Sequence, residues 1–236
     1  MSDPYQELSH YYDEFVQQNR DYKNIASRLA KVIGSNINLL EIGVGTGLIV
    51  QYLLDLNFQY RITGIDTSRS LLNLAAQKLG NRARFVHQSV SRLSLDETFD
   101  VAYSRGGAWT FIKDGDTVQL ASHILNLEEV EESFCRVAQH LCRGGLLIVS
   151  TSNAYGDNLV ELTDGIVHKR KSRTKNIKGV KYAELDYRFY RNEELLAQQI
   201  LELRLLSDEE LTLILEKSGF SLKVEDIEQY RVYEKS

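Results

Sequence analysis

Glu41, Gly43, Gly45 and Gly47 alternate in the stretch Leu39-Leu40-Glu41-Ile42-Gly43-Val44-Gly45-Thr46-Gly47, and Asp66 follows further along. Glycines at the end of an apolar strand let the backbone turn sharply and let a ligand approach the main chain, while the first N–H groups of the next helix face whatever binds there. An acid about 20 residues past such a turn can accept both hydroxyls of a ribose. The chemistry these residues suit is the gripping of a nucleotide-sized small molecule.

The elements that must hold them show as an alternation of strand and helix. Helices Tyr5 to Val16 and Tyr22 to Ile33 come first. Strand Asn38 to Ile42, helix Gly47 to Leu56, strand Arg61 to Asp66, helix Ser68 to Leu79 and strand Ala83 to His87 follow. Strand Phe99 to Ser104, helices around Thr117 to Leu125 and Glu128 to Leu141, and strand Gly145 to Ser152 complete the series. Such alternation predicts a parallel sheet covered on both faces, with its ligand at the carboxyl edge where chain order reverses. After Ser152 the rhythm changes. Gly165 to Thr174, Val180 to Asn192 and Leu195 to Leu206 read as antiparallel strands inserted after strand five, although Glu193 to Leu205 fits a helix equally. Ser207 with Glu210 forms a capping box for a last helix, Gly219 ends it, and Phe220 to Asp226 pairs with Tyr230 to Glu234 as a closing hairpin.

The glycine pattern is E-x-G-x-G-x-G and not the G-x-G-x-x-G of dinucleotide folds. Together with Asp66 closing the second strand, it resembles the class I S-adenosylmethionine-dependent methyltransferases. The resemblance implies an α/β, Rossmann-like, doubly wound seven-stranded sheet with its last strand antiparallel. It also implies S-adenosylmethionine as cofactor and S-adenosylhomocysteine as product. Lid helices plus an antiparallel β insertion after strand five are similar to the nucleotide-sugar N,N-dimethyltransferases and the glycine N-methyltransferase group. The division implied is lid helices over 1–36, a cofactor-binding core over 37–153, an inserted substrate or dimer subdomain over 154–206, and a closing helix and hairpin over 207–236.

Carried onto this sequence, the resemblance assigns the cofactor to Glu41, Gly43, Gly45 and Gly47, to Asp66 with Thr67, and to Gln88, Ser89 and Val90 after strand three. Ser89 stands where an acid often contacts the adenine amino group. The run Tyr11-Tyr12-Asp13-Glu14-Phe15 with Arg20-Asp21-Tyr22 looks like the family's lid, in which Tyr12 and Arg20 would hold the methionine carboxylate. The same aromatic spacing also serves simply to dock a helix on the core. Ser104 and the loop Arg105 to Trp109 fall nearest the sulfonium, where small residues admit the acceptor and an aromatic wall steadies a cation. Trp109 and Phe111 equally fit as core contacts.

Methyl transfer is an in-line displacement, so alignment and exclusion of water outweigh covalent help from the protein. An amine acceptor must arrive unprotonated. His123 is the candidate base beside Arg105 and Trp109, with Glu161, Asp164, Glu184 and Asp186 as carboxylates that could deprotonate or bind it. His168 to Lys181 holds seven Lys or Arg and no acid. That run suits a phosphorylated, carboxylated or carrier-bound acceptor, or else an exposed strand edge guarded by lysines.

A chain of 236 residues, 43% hydrophobic and 26% charged, suffices for one well-buried domain. A net charge of -5 argues against a nucleic-acid partner. The polar start Met1 to Glu7 lacks a secretory pattern and no apolar run is long enough to span a membrane, so a cytoplasmic protein is expected. Cys135 and Cys142 read as reduced core residues on one helix face. The sole proline is Pro4, so the Asn/Asp-Pro-Pro-aromatic motif of nucleic-acid amino-group and glutamine methyltransferases is missing. Asn153 and Asp157 offer too little for a metal site, and none is expected. The reading is methylation of a small-molecule amine, once or twice, in specialised biosynthesis, with a homodimer through the insertion. Its alternatives are small-molecule O-methylation and a non-catalytic module that binds S-adenosylmethionine.

Overall fold

A computed structural model describes residues 20–114, 116–152 and 156–236. The first expected helix, with Tyr12, and Asn153 lie outside the described residues.

Helix α1 (Tyr22–Ile33) starts where the Asp21 carboxylate accepts from the Asn24 N–H at 2.9 Å, and it buries Tyr22, Ile25, Ala26, Leu29 and Ile33 as one stripe. Strands β1 (Asn38–Ile42), β2 (Arg61–Asp66) and β4 (Phe99–Ser104) are buried over almost their whole length, as strands covered on both faces are. Helix α2 (Leu48–Leu56) leaves the glycine turn, and α3 (Arg69–Leu79) starts where the Ser68 hydroxyl accepts from the Leu71 N–H. With β3 (Arg84–His87) and β7 (Leu141–Ser152), the parallel order is β3-β2-β1-β4-β7. β13 (Tyr230–Lys235) lies antiparallel on β7 and carries β12 (Phe220–Ile227) on its far side. Chain order reverses between β1 and β4, so the loops leaving their carboxyl ends are neighbours.

The expected helix over Thr117 to Leu125 is instead a strand. β5 (Trp109–Asp114) and β6 (Thr117–Ser122) form a hairpin in register from Trp109 opposite Ser122 to Asp114 opposite Thr117. The β-branched and aromatic content of Trp109-Thr110-Phe111-Ile112 and Thr117-Val118 satisfies its hydrogen bonds across that pair, and a short apolar run cannot announce a partner lying one turn away. Helix α4 (Leu127–His140) follows, capped by Asn126. The cysteine expectation also needs correction: Cys135 is only half-buried on α4, whereas Cys142 is exposed on β7.

Past β4, the end of β7 pairs with β5 through Phe111 opposite Thr151 and Ile112 opposite Ser152. From there a second sheet grows: β6, then β11 (Glu194–Leu205), β10 (Val180–Arg191), β9 (Ile166–Ile177) and β8 (Asn158–Glu161), each antiparallel to the last. The ambiguous segment is therefore strand, held by β10 along its whole length. Helix α5 (Asp208–Ser218) closes the chain toward β12, and both halves of the Ser207–Glu210 capping box are made.

Candidate donor and acceptor site at the carboxyl edge

The three glycines serve three different ends. Gly43 has φ 75°, and a Cβ there would stand 2.4 Å from the Gly107 Cα, so the loops leaving β1 and β4 touch backbone to backbone. Gly47, also at φ 75°, lets α2 lie close to Leu79 of α3. Gly45 has φ 56° and faces open space, with nothing within 4 Å of the position its Cβ would occupy. That opening is a cradle of main chain, the feature a donor molecule would need.

The cradle is pinned to β2. The N–H groups of Gly43 and Val44 donate to the Ile65 carbonyl at 2.8 and 3.0 Å. The Asp66 carboxylate accepts from the Gly45 N–H and from the Ser68 N–H, each at 2.8 Å. Two main-chain bonds thus fix the orientation of a half-buried carboxylate, an acceptor-only group of the kind ribose hydroxyls donate to. Thr67 beside it is exposed, and its carbonyl is 3.0 Å from the His87 Nε2. Across the same edge, the Gln88 N–H donates to the Asp66 carbonyl, the Ser89 and Ser91 hydroxyls meet at 2.9 Å, and Val90 is buried at the start of a short 3-10 turn. Gln88, Ser89 and Val90 are therefore brought to the side of Asp66.

Glu41 is buried, and the Tyr103 hydroxyl donates to it at 3.1 Å from the facing position on β4. Burial pushes its carboxyl up to about 8, against the pull of the Tyr103 hydrogen bond and the Arg105 charge and with the help of Asp66. Arg105 sits over the Tyr22 ring, 5.1 Å from its centre, and bears on the buried Tyr230 as well. Tyr103 and Tyr230 join the site without having been singled out from the sequence, and Tyr22 of the expected lid run lies there as well. Tyr103 carried no local signal, because the group it meets, Glu41, lies on the neighbouring strand β1. Arg20, the first described residue, is half-buried one position before the cap of α1.

The loop Arg105 to Ala108 is closed at its base by Ser104, whose buried hydroxyl donates to the Trp109 carbonyl at 2.8 Å and accepts from the Trp109 N–H at 3.2 Å. Ser104 thus shapes the loop through Trp109. The Trp109 ring is fully buried and stacks on Phe134 of α4 with centroids 4.1 Å apart, which places it in the core beneath the loop. His123 comes to the other side, its N–H donating to the Ala108 carbonyl at 3.0 Å. Desolvation pushes its imidazole down to about 4, so it is neutral at physiological pH and a weaker base than an exposed histidine.

The four carboxylates from the insertion do not converge here. Glu161 and Asp164 are exposed. Glu184 is held below the usual carboxylate range by Lys175 and Arg173, and Asp186 pairs with Arg188 at 2.6 Å, both on the outward face of the second sheet. Among the described residues no three His, Cys, Asp or Glu side chains group as a metal ion would require, and no helix is long and apolar enough to cross a membrane.

Residues 39–129 match the family described as "Methyltransferase domain". Among curated proteins, the malonyl-[acyl-carrier protein] O-methyltransferase of Bacillus cytotoxicus is 26% identical over 174 residues, covering 72% of this chain and 53% of the relative. That of Bacillus anthracis is 28% identical over 144 residues, covering 59% and 48%. The chain spans about half the length of the curated relatives it matches. Among solved structures, Streptomyces venezuelae DesVI superposes with a TM-score of 0.72 at 17% identity, over 95% of this chain and 96% of that one. The amino pentose methyltransferase CalS10 of Micromonospora echinaspora gives 0.70 at 17%, over 96% of each chain. The sugar N-methyltransferase KedS8 of Streptoalloteichus gives 0.70 at 19%, over 95% and 92%. At such identities the structures speak for the shared fold. The glycine cradle and the braced Asp66 lie within residues 39–129, the stretch that matches the methyltransferase domain, and the fold around them is the one shared with S-adenosylmethionine-bound methyltransferase structures.

Proposed function

We propose that the chain transfers a methyl group from S-adenosylmethionine to the amine of a small molecule, once or twice, in a specialised biosynthetic pathway. The observation that carries this is the open cradle at Gly45 with its braced Asp66, beside a small loop after β4 to which the His123 main chain is hydrogen-bonded. When bound, the donor supplies an electrophilic methyl group on a sulfonium. The residues of this chain bind and orient: Glu41 and the glycines take the amino-acid portion with Tyr12 and Arg20, Asp66 and Thr67 the ribose, and Gln88, Ser89 and Val90 the adenine. Arg105 steadies Glu41 and Tyr22, and Ser104 and Trp109 fix the floor of the reaction centre from below. His123, tied to the loop by its main-chain N–H at Ala108, is the imidazole that hydrogen-bonds the acceptor nitrogen, and because burial suppresses its basicity it passes the released proton on to solvent rather than keeping it.

O-methylation of a carboxylic acid is the second reading, favoured by the printed activity of the curated relatives. The exposed Leu159, Leu195 and Ile200 on the outward face of the second sheet support pairing of two copies there. The decisive measurement is calorimetric titration with S-adenosylmethionine of the wild type, Asp66→Ala and Gly45→Leu. Loss of about tenfold or more in affinity in each variant is expected, roughly 1.4 kcal/mol, and undiminished binding in both would overturn the reading. Release of S-adenosylhomocysteine with an amine library, followed by mapping of isotope-labelled product, then separates nitrogen from oxygen.

A further inference from the structure

Strand alternation divides the basic run that the sequence presents as one block. Lys169, Lys171, Arg173 and Lys175 share the outward face of β9 with Glu184, Asp186 and Arg188 of β10. Arg170 has the opposite parity and is 9% exposed. Its Nε and Nη2 donate to the Gly156 carbonyl at 3.2 and 3.0 Å, and among the described residues no carboxylate pairs with it. Three of its five N–H donors remain. Directly across the sheet, Arg170 faces Tyr187 of β10, and Tyr187 faces Gln199 of β11. Gln199 is 8% exposed, and both atoms of its amide are buried without a hydrogen-bond partner. His168, the next inward residue on β9, is fully buried. Burial, with the Arg170 charge adding to it, pushes its imidazole down to about 4, so it brings no second charge.

A buried guanidinium without a counter-ion and, across Tyr187 on the same face of the sheet, an unpaired buried amide are each costly for a fold to keep for their own sake. The guanidinium and the Gln199 amide N–H both suit a ligand with anionic oxygens, while the Gln199 carbonyl oxygen can take a donor such as a hydroxyl on the same ligand. Their place is fitting. Gly156 lies in the connection that leaves β7 at the carboxyl edge of the parallel sheet, and the inward residues Ile166, Phe189 and Ala197 pack in one cluster with Tyr22, whose ring lies under Arg105.

We propose that the inward row of the inserted sheet is the acceptor's anchor, in which Arg170 and Gln199 hold a carboxylate or phosphate group carried by the acceptor. This rests on the methyl-transfer reading for its meaning but not for its measurement. The full chain, without donor, is titrated with acetate, with inorganic phosphate and with neutral acetamide as three arms. The wild type binds one of the two anions and not acetamide, and the anion preferred names the class of acceptor. Arg170→Met weakens that binding about tenfold or more and Gln199→Leu severalfold, whereas Lys171→Gln on the outward face leaves it unchanged. Arg170→Met also raises the melting temperature of the unliganded protein, because the unpaired charge is removed. The proposal is overturned by equal anion binding in wild type and Arg170→Met, by loss in Lys171→Gln, or by a lower melting temperature in Arg170→Met, which would assign Arg170 a structural duty at Gly156. S-adenosylmethionine binding is followed on the same samples. Its absence from the wild type alongside intact anion binding would sink the methyl-transfer reading and leave the anion site standing.

Discussion

Glu41 keeps its proton near neutrality because burial outweighs the hydrogen bond from Tyr103 and the charge of Arg105. S-adenosylmethionine carries an ammonium group, and a cation beside a protonated carboxyl lowers its pKa. Binding at pH 7 is therefore expected to release a proton, with calorimetric heats that depend on the ionisation enthalpy of the buffer. In Glu41→Gln that dependence disappears. The residues that could be named from sequence here, Glu41, the glycines and Asp66, are those whose chemistry depends on spacing within one strand and turn. Trp109 could not be settled that way, since an aromatic beside a strand suits a cation wall or a core, and only its stacking on Phe134 places it in the core. Arg170 was hidden inside a basic run whose members differ only by which face of β9 they occupy.

Among elements, the contact between the loops after β1 and β4 is the tightest constraint on the site. A Cβ on Gly107 would come within 2.1 Å of the Ile42 carbonyl oxygen. Gly107→Ala must push the two loops apart, with an expected stability loss of about 1–3 kcal/mol in urea denaturation and weaker donor binding in titration. Ser207→Ala, which removes the capping box of α5, is expected to cost about 1 kcal/mol and to leave donor binding intact. Helix starts were readable because Asp21, Ser68, Asn126 and Ser207 are local signals, each cap within four residues of the donor it satisfies. β6 was not, because its identity as a strand comes from β5 across a turn and from β11 about eighty residues on.

For the molecule as a whole, three buried titrating groups pull stability in opposite directions with pH. His123 and His168 titrate near 4 when folded, below their ordinary value of 6.5, so the unfolded chain takes up protons first and stability is lost as pH falls from about 6.5 toward 4. Glu41 titrates near 8 when folded, above its ordinary 4.5, so its contribution is present below 4.5 and is lost as pH rises toward 8. The unliganded protein should be most stable at mildly acidic pH, near pH 6. Urea denaturation from pH 4 to 9 checks this, and Glu41→Gln should flatten the alkaline limb and steepen the rise in stability between pH 4.5 and 6.5. That the core sheet is parallel was readable from the alternation of its strands with helices, but the join between the two sheets was not. It depends on Phe111 and Ile112 meeting Thr151 and Ser152, a pairing of distant segments with no mark in either.

That join has an engineering consequence. β7 is a girder common to both halves, running from the core pairing of Leu146 to Val149 out to the insertion at Thr151 and Ser152. Transplanting another enzyme's substrate-recognising module into this chain cannot treat it as a cassette excised at the foot of the girder. The seams belong beyond Ser152 and before Leu206, with the β5–β6 hairpin retained as the bracket that receives the graft.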